Sequence, residues 1–252
     1  MKVYVLNLDR QPERLAHMRA QLSDVPFERI AAIEGANDAP SAKGLTRFEL
    51  ACLASHRAAW RQFLIGPDAH ACFFEDDLHV RPRLSELIGA TDWVPLDAHS
   101  IKLDTYLQKV KLGEARPAPG GRKIARLFTR HQSSAAYLLT RAGARRYLEL
   151  TADLSLPADY ALFPKHPRRF GLRIYQLTPA IAIQDHLLGS EEGGQRFATA
   201  MAERQRARQQ TRSLFETLRR EVARLIDQAA DSAEAIYLSA SEQPRTTMVS
   251  VG

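Results

Sequence analysis

The sequence predicts an α/β fold, with a mostly parallel, twisted sheet flanked by helices, and three observations support this prediction. Short apolar segments typical of strands alternate along the chain with segments whose apolar residues recur at helical spacing. Residues 71–74 form an unbroken apolar run, which is typical of a strand buried on both faces of a parallel sheet. The chain has 252 residues, of which 45% are hydrophobic and 25% charged, so it can bury the core of one large domain.

The N-terminal residues predict a strand followed by a helix. Residues 3–8 are almost all apolar, and apolar residues at helical spacing follow them: Leu15, Met18 and Leu22. Pro12 is compatible with the first turn of this helix. A strand, a short turn and a helix open many nucleotide-binding units, in which the helix N-terminus attracts phosphate. Arg10 and Arg14 would add charge-assisted contacts to a phosphate, although most arginines simply lie on the surface.

A second strand is predicted over residues 27–33, followed by a loop at 35–44 and a long helix. Thr46 and Glu49 have the spacing of a capping box, and a Gly-Pro pair at 66–67 ends the helical pattern. The apolar stripe of this helix consists of Phe48, Cys52, His56, Ala59 and Phe63. Because His56 lies on the stripe, it is either a core histidine with a satisfied hydrogen bond or a residue of a site.

Three consecutive carboxylates, Glu75, Asp76 and Asp77, follow the apolar run. In open α/β sheets, ligands bind just beyond the carboxyl ends of the strands. These acids would repel one another unless a cation held them together, and hard oxygen ligands suit Mg²⁺ or Mn²⁺. The alternative interpretation is a solvated strand end followed by a turn. The triplet by itself leaves both interpretations open.

The rest of the predicted domain continues to alternate between strands and helices. The expected elements are a buried strand at 101–104, a mobile loop rich in Lys, Arg, Gly and Pro at 107–123, an apolar segment at 135–139 that continues into a helix at 141–148, a turn at 157–160 and a strand at 172–183. Pro179, near the middle of the last strand, indicates an edge or a bend.

We divide the chain into three parts: the predicted α/β domain at 1–190, an amphipathic helical extension at 191–238 and a polar, disordered tail at 239–252. The extension has an apolar stripe and an arginine-rich opposite face. It would pack on its own domain, pair with another chain or lie on an anionic membrane.

Composition indicates a cytoplasmic protein. No segment approaches the roughly 20 apolar residues of a membrane-spanning helix, and the N-terminus lacks the features of a signal peptide. The two cysteines, Cys52 and Cys72, lie in apolar surroundings and indicate no disulfide framework. Peripheral attachment to the inner membrane, through the extension at 191–238, is a further option.

The net charge of +6 is concentrated in the middle of the chain. Residues 102–173 contain 15 basic and 5 acidic side chains, a net charge of +10. Such a field favours an anionic partner, for example a phosphorylated substrate, an anionic glycolipid or a membrane surface. No nucleic-acid motif accompanies the charge, and aromatic residues are not interleaved with the basic ones, so we expect no nucleic-acid partner.

With these segments in order, the sequence resembles glycosyltransferase family 25, which includes the lipooligosaccharide and collagen galactosyltransferases. Several separated motifs carry the resemblance, from the N-terminus to about Gln184. The matching stretches are residues 3–10 with Arg14, residues 50–60 with Cys52, Ser55, His56 and Trp60, Phe74-Glu75-Asp76-Asp77, and residues 101–104, 136–144 and 157–159. Ala51 stands where the family commonly has Gly, and Asp104 where Glu is frequent.

The resemblance implies a GT-A-like fold and a metal-dependent, inverting transferase. Its donor would be a nucleotide sugar, most often a UDP-hexose such as UDP-galactose, and its acceptor a lipooligosaccharide or another surface glycan or glycolipid. Asp77 is the expected direct ligand of Mn²⁺ or Mg²⁺. Glu75 is either a second ligand or, with Asp76, a contact of the donor. His186 is a further candidate ligand.

The resemblance also assigns a donor site and a general base. The residues expected to bind the donor are Asn7, Leu8, Arg10, Arg14, Ser55, His56, Glu75, Asp76 and Lys102. Lys102 would offset the charge of the diphosphate. Asp159 is the candidate base that takes the proton from the acceptor hydroxyl. Its alternative role is that of a helix N-cap.

Two hypotheses from other functional classes remain open. The first is a non-catalytic nucleotide-sugar-binding protein on the same fold, against which the intact triplet of carboxylates argues. The second is a peripheral membrane or assembly module that acts through the helix at 191–238. Neither hypothesis excludes catalysis.

Overall fold

The computed structural model describes residues 1–35, 45–197 and 244–252. The helices are α1 (Pro12–Gln21), α2 (Arg47–Ile65), α3 (Leu84–Gly89), α4 (Arg141–Leu150) and α5 (Ala158–Leu162). The strands are β1 (Lys2–Asn7), β2 (Glu28–Ala31), β3 (His70–Glu75), β4 (Leu78–Val80), β5 (Ser100–Lys102), β6 (Asp104–Thr105), β7 (Lys109–Ala118), β8 (Arg122–Leu127), β9 (Ala136–Thr140), β10 (Ile174–Thr178), β11 (Ala182–Gln184) and β12 (Arg245–Met248). The predicted α/β class is confirmed.

The central sheet is mixed. Its nine strands have the order β12-β7-β8-β10-β5-β9-β3-β1-β2. The pairs β1–β2, β1–β3 and β5–β10 are parallel, and the other five pairs are antiparallel. The expectation that most strand pairs are parallel is therefore wrong. An apolar run that is buried on both faces looks the same in either direction, so the sequence could not show that β9 runs antiparallel to both of its neighbours.

Helices cover both faces of the sheet. On one face, α2, α4 and α5 pack through side chains that include Trp60, Phe63 and Tyr147. On the other face, α1 and α3 pack through Met18 and Leu84. Burying a side chain such as Phe63 contributes about 1.5–3 kcal/mol. This two-sided cover explains the unbroken apolar run of β3.

The long helix α2 begins as the sequence predicts. The Thr46 hydroxyl accepts the Glu49 N–H at 3.2 Å, and the Glu49 carboxylate accepts the Thr46 N–H at 2.9 Å. This capping box is confirmed. Within the described ranges, no helix is both long and apolar enough to cross a membrane.

The register of the strands places the predicted site at one edge of the sheet. Because β1 and β3 are parallel neighbours with Leu6 opposite Glu75, the residues that follow both strands lie side by side. A small second sheet, in the order β4-β11-β6, continues from this edge. The Asp185 N–H that follows β11 donates to the Asp77 carbonyl at 2.8 Å, which returns the chain to the carboxylate triplet.

Residues 107–123 do not form the mobile loop expected from their composition. Strands β7 and β8 pair as an antiparallel hairpin, and β8 joins the sheet through β10. Val110 and Leu112 are buried, whereas Lys109 and Lys111, which alternate with them, are exposed. This alternation is the two-residue period of a strand, which the high content of Lys, Arg, Gly and Pro obscured.

Part of the expected disordered tail belongs to the sheet. Strand β12 pairs antiparallel with β7, Val249 is 1% exposed, and the Thr105 hydroxyl donates to the Val249 carbonyl at 2.6 Å. The prediction of disorder over 239–252 is therefore wrong for residues 244–252. Polar composition favours disorder, but an unpaired strand edge offers backbone hydrogen bonds that need no apolar side chains. The helix predicted over 191–238 lies outside the described residues from 198 onward.

Gly143 tests the packing of α4 on the sheet. A Cβ at this position would lie 1.9 Å from the His99 carbonyl oxygen, so Gly143→Ala forces the helix away from the strand. We expect a loss of about 1–3 kcal/mol or more in the free energy of unfolding. The melting temperature should fall by about 2–4 °C per kcal/mol. Gly89→Ala, where a Cβ meets nothing within 4 Å, is the matched control and should change stability by less than about 1 kcal/mol. Equal unfolding free energies for the two variants would contradict this packing.

Candidate active site

The ends of β1 and β3 and the N-terminal half of α2 border an open cleft. Eight residues predicted for the site line it: Leu8, Arg10, Arg14, Ser55, His56, Glu75, Asp76 and Asp77. The cleft is also lined by four residues that the sequence pattern did not indicate as site residues: Gln11, Ile33, Phe48 and Cys52. Phe48 and Cys52 were predicted as part of an apolar stripe, and nothing in the pattern showed that the first turns of α2 face a cleft.

Asp76 is held from two sides. The Asn7 amide donates to Oδ2 at 2.7 Å, and Arg14 Nη1 lies 3.1 Å from Oδ1. Arg29 donates to Asn7 Oδ1 at 3.0 Å and thereby fixes the orientation of the amide. Burial raises the pKa of Asp76, while Arg14 and Asn7 act against this shift. Asp76 therefore anchors the triplet to β1 and α1. Asn7 is buried beneath the cleft, so it affects the site by fixing the position of Asp76.

His56 is both a core residue and a cleft residue. Its ring is 1% exposed, and Nδ1 lies 2.8 Å from the Tyr137 hydroxyl, to which the Trp60 ring N–H donates at 2.8 Å. Its Nε2 lies 3.3 Å from Glu75 Oε1. Burial alone would lower the pKa of His56, but contacts with Cys52 and Glu75 outweigh burial and raise it to about 9. The protonated ring therefore compensates the charge of Glu75 at neutral pH.

Two serines hold the walls of the cleft. The Ser134 hydroxyl donates to Glu75 Oε1 at 2.9 Å. The Ser55 hydroxyl donates to the Ala51 carbonyl at 2.7 Å and accepts the Ile33 N–H at 2.8 Å. Ser55 thus joins α2 to the segment that follows β2, and its predicted contact with a donor stays a prediction.

The described residues compensate the negative charge of Asp77 less well than that of Asp76. Gln184 Nε2 lies 3.4 Å from Asp77 Oδ1, at the long end of hydrogen-bond range. Burial and the negative charges of Glu75 and Asp76 raise the pKa of Asp77 to about 7, with Arg14 and Gln184 acting in the opposite direction. A carboxyl in such an environment is stabilised by a proton or by a cation.

The short 3₁₀ segment Asp185–Leu187 brings His186 close to the triplet. Both ring nitrogens of His186 are buried, and neither has a hydrogen-bond partner among the described residues. Burial lowers the pKa of His186, and the negative charges of Asp185 and Glu75 oppose this shift, so the ring is within electrostatic reach of Glu75. Buried polar atoms without a protein partner are usually satisfied by an ordered water or by an ion. Glu75, Asp77 and His186 are ligand types that suit the divalent cation implied by the family resemblance. In the described residues their ligand atoms do not all lie within 4.8 Å of one another, so binding a shared cation requires side-chain movement.

Lys102 lies behind the cleft and not on its surface. The side chain is fully buried, with Nζ 2.8 Å from Asp104 Oδ1, 2.6 Å from the Ser133 carbonyl and 4.5 Å from the centre of the Phe163 ring. The predicted contact between Lys102 and the donor diphosphate is not supported by this placement. Lys102 and Asp104 are two residues apart in extended chain, so their side chains share one side and pair with each other.

Asp159 lies in the first turn of α5 and does not line the cleft. The cap of α5 is Pro157, so the alternative role of Asp159 as an N-cap is wrong. Burial lowers the pKa of Lys102, and the charges of Asp104, Asp159 and Glu75 oppose this shift. Asp159 is therefore within electrostatic reach of the Lys102 ammonium group, and its role as a base stays a prediction.

Arg10 lies on the rim of the cleft. Its guanidinium forms an exposed ion pair with Glu34, which also lines the cleft. An exposed pair of this kind contributes little stability, so Arg10 can exchange its partner for another anion at small cost. Leu8 lies beside it, and the Leu8 carbonyl accepts the Gln11 N–H at 3.0 Å in the turn that leads into α1.

More than half of the chain matches a known protein family. The family model described as glycosyltransferase family 25 (LPS biosynthesis protein) matches residues 1–162. A candidate glycosyltransferase of Haemophilus influenzae is 26% identical over 239 residues, which are 88% of this chain and 84% of that protein. The lacto-N-neotetraose biosynthesis glycosyltransferase LgtB of Neisseria gonorrhoeae is 26% identical over 208 residues, 73% of this chain and 75% of that protein.

Solved structures are more distant. A galactosyltransferase, LgtC, in complex with donor and acceptor sugar analogues aligns with a TM-score of 0.38 and 13% identity, over 70% of this chain and 73% of that chain. This similarity is weak, so the geometry of the site rests on the residues of this chain alone.

Asp77→Asn tests the environment of Asp77 in protein treated with a chelator. Because the pKa of Asp77 is raised from 3.8 to about 7, the native state binds its proton more tightly than the unfolded state. The stability of the wild-type protein therefore falls as the pH rises through this window. We expect Asp77→Asn to unfold at higher denaturant concentration than the wild type at pH 8, with the difference narrowing towards pH 4.

Asp24→Asn, which removes one exposed carboxylate, is the matched control for the change in net charge. A difference between Asp77→Asn and wild type that is the same at both pH values, or that Asp24→Asn reproduces, would contradict the raised pKa.

Proposed function

The chain belongs to glycosyltransferase family 25, and we propose that it is a metal-dependent, inverting hexosyltransferase. The donor is a nucleotide sugar, UDP-galactose in the first instance, and the acceptor is a lipooligosaccharide or another surface glycan. The observation that carries this proposal is the row of carboxylates Glu75-Asp76-Asp77 on an open cleft, whose negative charge the protein compensates only in part. His186 lies within electrostatic reach of Glu75, and its two ring nitrogens have no hydrogen-bond partner among the described residues.

The divalent cation would be held by Asp77, Glu75 and His186. Asp76 keeps the row in place through Asn7 and Arg14 and leaves its two neighbours to the cation. When bound, Mn²⁺ or Mg²⁺ supplies positive charge beside the diphosphate leaving group.

The donor nucleotide would lie between the end of β1 and the start of α1. The first N–H groups of a helix and its dipole favour phosphate. Arg10 is placed on the same rim, and replacing Glu34 with a phosphate oxygen would give it a charge-assisted contact. Leu8 and Ser55 border this part of the cleft and would limit the space for the nucleotide and the sugar.

The transfer itself is a single displacement. The acceptor oxygen forms a bond to the anomeric carbon while the bond from that carbon to the diphosphate breaks, and the electron pair leaves with the nucleoside diphosphate. The proton of the acceptor hydroxyl passes to the carboxylate of Asp159. Attack from the side opposite to the leaving group inverts the anomeric configuration. Lys102 acts here as a positioning charge, because it is buried within reach of both Asp159 and Glu75.

Surface charge supports an anionic acceptor. Residues 109–127 contain six basic side chains and one acidic one. Lys109, Lys111 and Lys123 on this hairpin are exposed. A surface of this sign raises the local concentration of a phosphorylated glycolipid.

Donor binding is tested by the melting temperature of the protein with nucleotide sugars, with and without Mn²⁺. UDP-galactose with Mn²⁺ should stabilise the wild type, by about 2.7 kcal/mol at a donor concentration of 100 Kd. Asp77→Ala and His186→Ala should each remove most of this gain, because each removes a cation ligand. His70→Ala is the control and should keep the full stabilisation by UDP-galactose and Mn²⁺. His70 begins β3, about 16 Å from Glu75. The same gain in Asp77→Ala as in the wild type would exclude the cation site.

The base is tested by Asp159→Asn. Transfer of labelled galactose from UDP-galactose to purified lipooligosaccharide should fall at least about 100-fold, because the base is lost. The stabilisation by donor and Mn²⁺ should remain. Asp153→Asn, an exposed acid of the preceding loop, should keep wild-type transfer. Unchanged transfer by Asp159→Asn would remove Asp159 from the mechanism, and no transfer by the wild type to any glycan would favour the non-catalytic hypothesis.

A further inference from the structure

Cys52, His56 and Glu75 bring three different kinds of metal-binding group together on one wall of the cleft. A thiol sulfur, an imidazole nitrogen and a carboxylate oxygen of these residues all lie within 4.8 Å of one another. Cys52 and His56 are four residues apart on α2 and therefore share one face of the helix. Glu75 lies opposite them at the end of β3, and all three residues line the cleft.

The spacing of these groups is close to that of a zinc site. Bond lengths of about 2.3 Å for Zn–S and 2.0–2.2 Å for Zn–N and Zn–O place tetrahedral ligand atoms roughly 3.3–3.7 Å apart. His56 Nε2 and Glu75 Oε1 are already 3.3 Å apart. Since all the atoms lie within 4.8 Å, closing the set requires movements of roughly 1 Å.

The chemistry of the set differs from that of the cation site proposed for the transferase. A thiolate with an imidazole is a softer set of ligands than carboxylates alone, and it favours Zn²⁺ over Mg²⁺ or Mn²⁺. Cys52 supplies this selectivity, because Glu75 and an imidazole also suit the harder ions.

Outer hydrogen bonds hold the ligands in place. The contact at 2.8 Å between His56 Nδ1 and the Tyr137 hydroxyl fixes the ring with Nε2 towards Glu75. The Trp60 ring N–H fixes the Tyr137 hydroxyl in turn, and Ser134 holds Glu75. Partners of this kind on the second nitrogen of a histidine are the usual support of a metal ligand.

We infer that Cys52, His56 and Glu75 form a zinc site that shares only Glu75 with the site proposed for the transferase cation, with its fourth coordination position open to the cleft. When Zn²⁺ binds, the thiol proton of Cys52 and the proton shared by His56 and Glu75 pass to solvent. Glu75 belongs to both sets of ligands, so zinc withdraws it from the transferase cation. Zinc therefore inhibits sugar transfer, and this consequence, unlike zinc binding itself, rests on the proposed function.

Cobalt reports on the site directly, because Co²⁺ occupies zinc sites and gives a near-ultraviolet charge-transfer band when a thiolate is bound. Titration of the metal-free, full-length protein with Co²⁺ should produce this band, and one equivalent of Zn²⁺ should remove it. Cys52→Ser should lack the band, whereas Cys72→Ala should keep it, because Cys72 is the other cysteine of the chain and lies in the core. Asp77→Asn should also keep it, since Asp77 is not one of the three ligands.

Zinc affinity gives a second measurement, made on a variant that leaves Cys52 unchanged. Competition with a chromophoric chelator should show that Glu75→Gln weakens zinc binding by more than about 10-fold, because even outer-shell changes cost 10–100-fold. Circular dichroism should show that Cys52→Ser and Glu75→Gln are both folded. The absence of a charge-transfer band in the wild type, or a band that persists in Cys52→Ser, would overturn the zinc site.

Inhibition of sugar transfer by zinc is tested separately from zinc binding. Zinc should lower transfer by the wild type in the presence of Mn²⁺ and should lower it much less in Cys52→Ser. Equal inhibition of both proteins would overturn the consequence. A cobalt band in a protein that transfers no sugar would show that the zinc site stands while the proposed function has failed.

Discussion

The repulsion among three consecutive carboxylates at the end of β3 determines how the rest of the site is built. Asp76 is compensated within the protein by Arg14 and by the amide of Asn7. Glu75 is compensated by the protonated ring of His56 and by the Ser134 hydroxyl. Asp77 receives a single long contact from a neutral amide among the hydrogen bonds described above, and its pKa rises to about 7. The three carboxylates therefore differ in role: Asp76 anchors the triplet, Glu75 connects it to the core, and Asp77 is stabilised by a proton or by a cation.

The site is continuous with the hydrophobic core, and this continuity makes it rigid. The His56 ring, the Tyr137 hydroxyl and the Trp60 indole form a chain of hydrogen bonds from the cleft into the layer beneath α2. Tyr137 also stacks on Phe73, the residue two positions before Glu75 in β3. Movement of Glu75 would therefore disturb packing as well as charge. Buried networks in which every member is satisfied fix the position of polar side chains in this way.

Much of the fold and of the site could be predicted from the sequence. The capping box of α2, the strand that ends in the triplet and the placement of eight cleft residues follow from local pattern and from the resemblance. The missed features depend on contacts between distant segments. Lys102 turns inward because Asp104 and Phe163 surround it. The hairpin and β12 join the sheet because neighbouring strands offer backbone partners, and composition carries no information about such partners. The position of His186 likewise becomes visible only when β4 and β11 pair, and within the described ranges its ring nitrogens then have no hydrogen-bond partner.

We expect one cation to connect Asp77, Glu75 and His186 to the diphosphate of the donor. Anomalous diffraction at the manganese absorption edge, from crystals soaked with Mn²⁺ and UDP, tests this claim most directly. The predicted result is one strong peak within bonding distance of an Asp77 oxygen and of a His186 ring nitrogen, with UDP phosphate oxygens on its open side. A peak that lies away from both residues, or UDP bound in the cleft with no peak at all, would contradict the account.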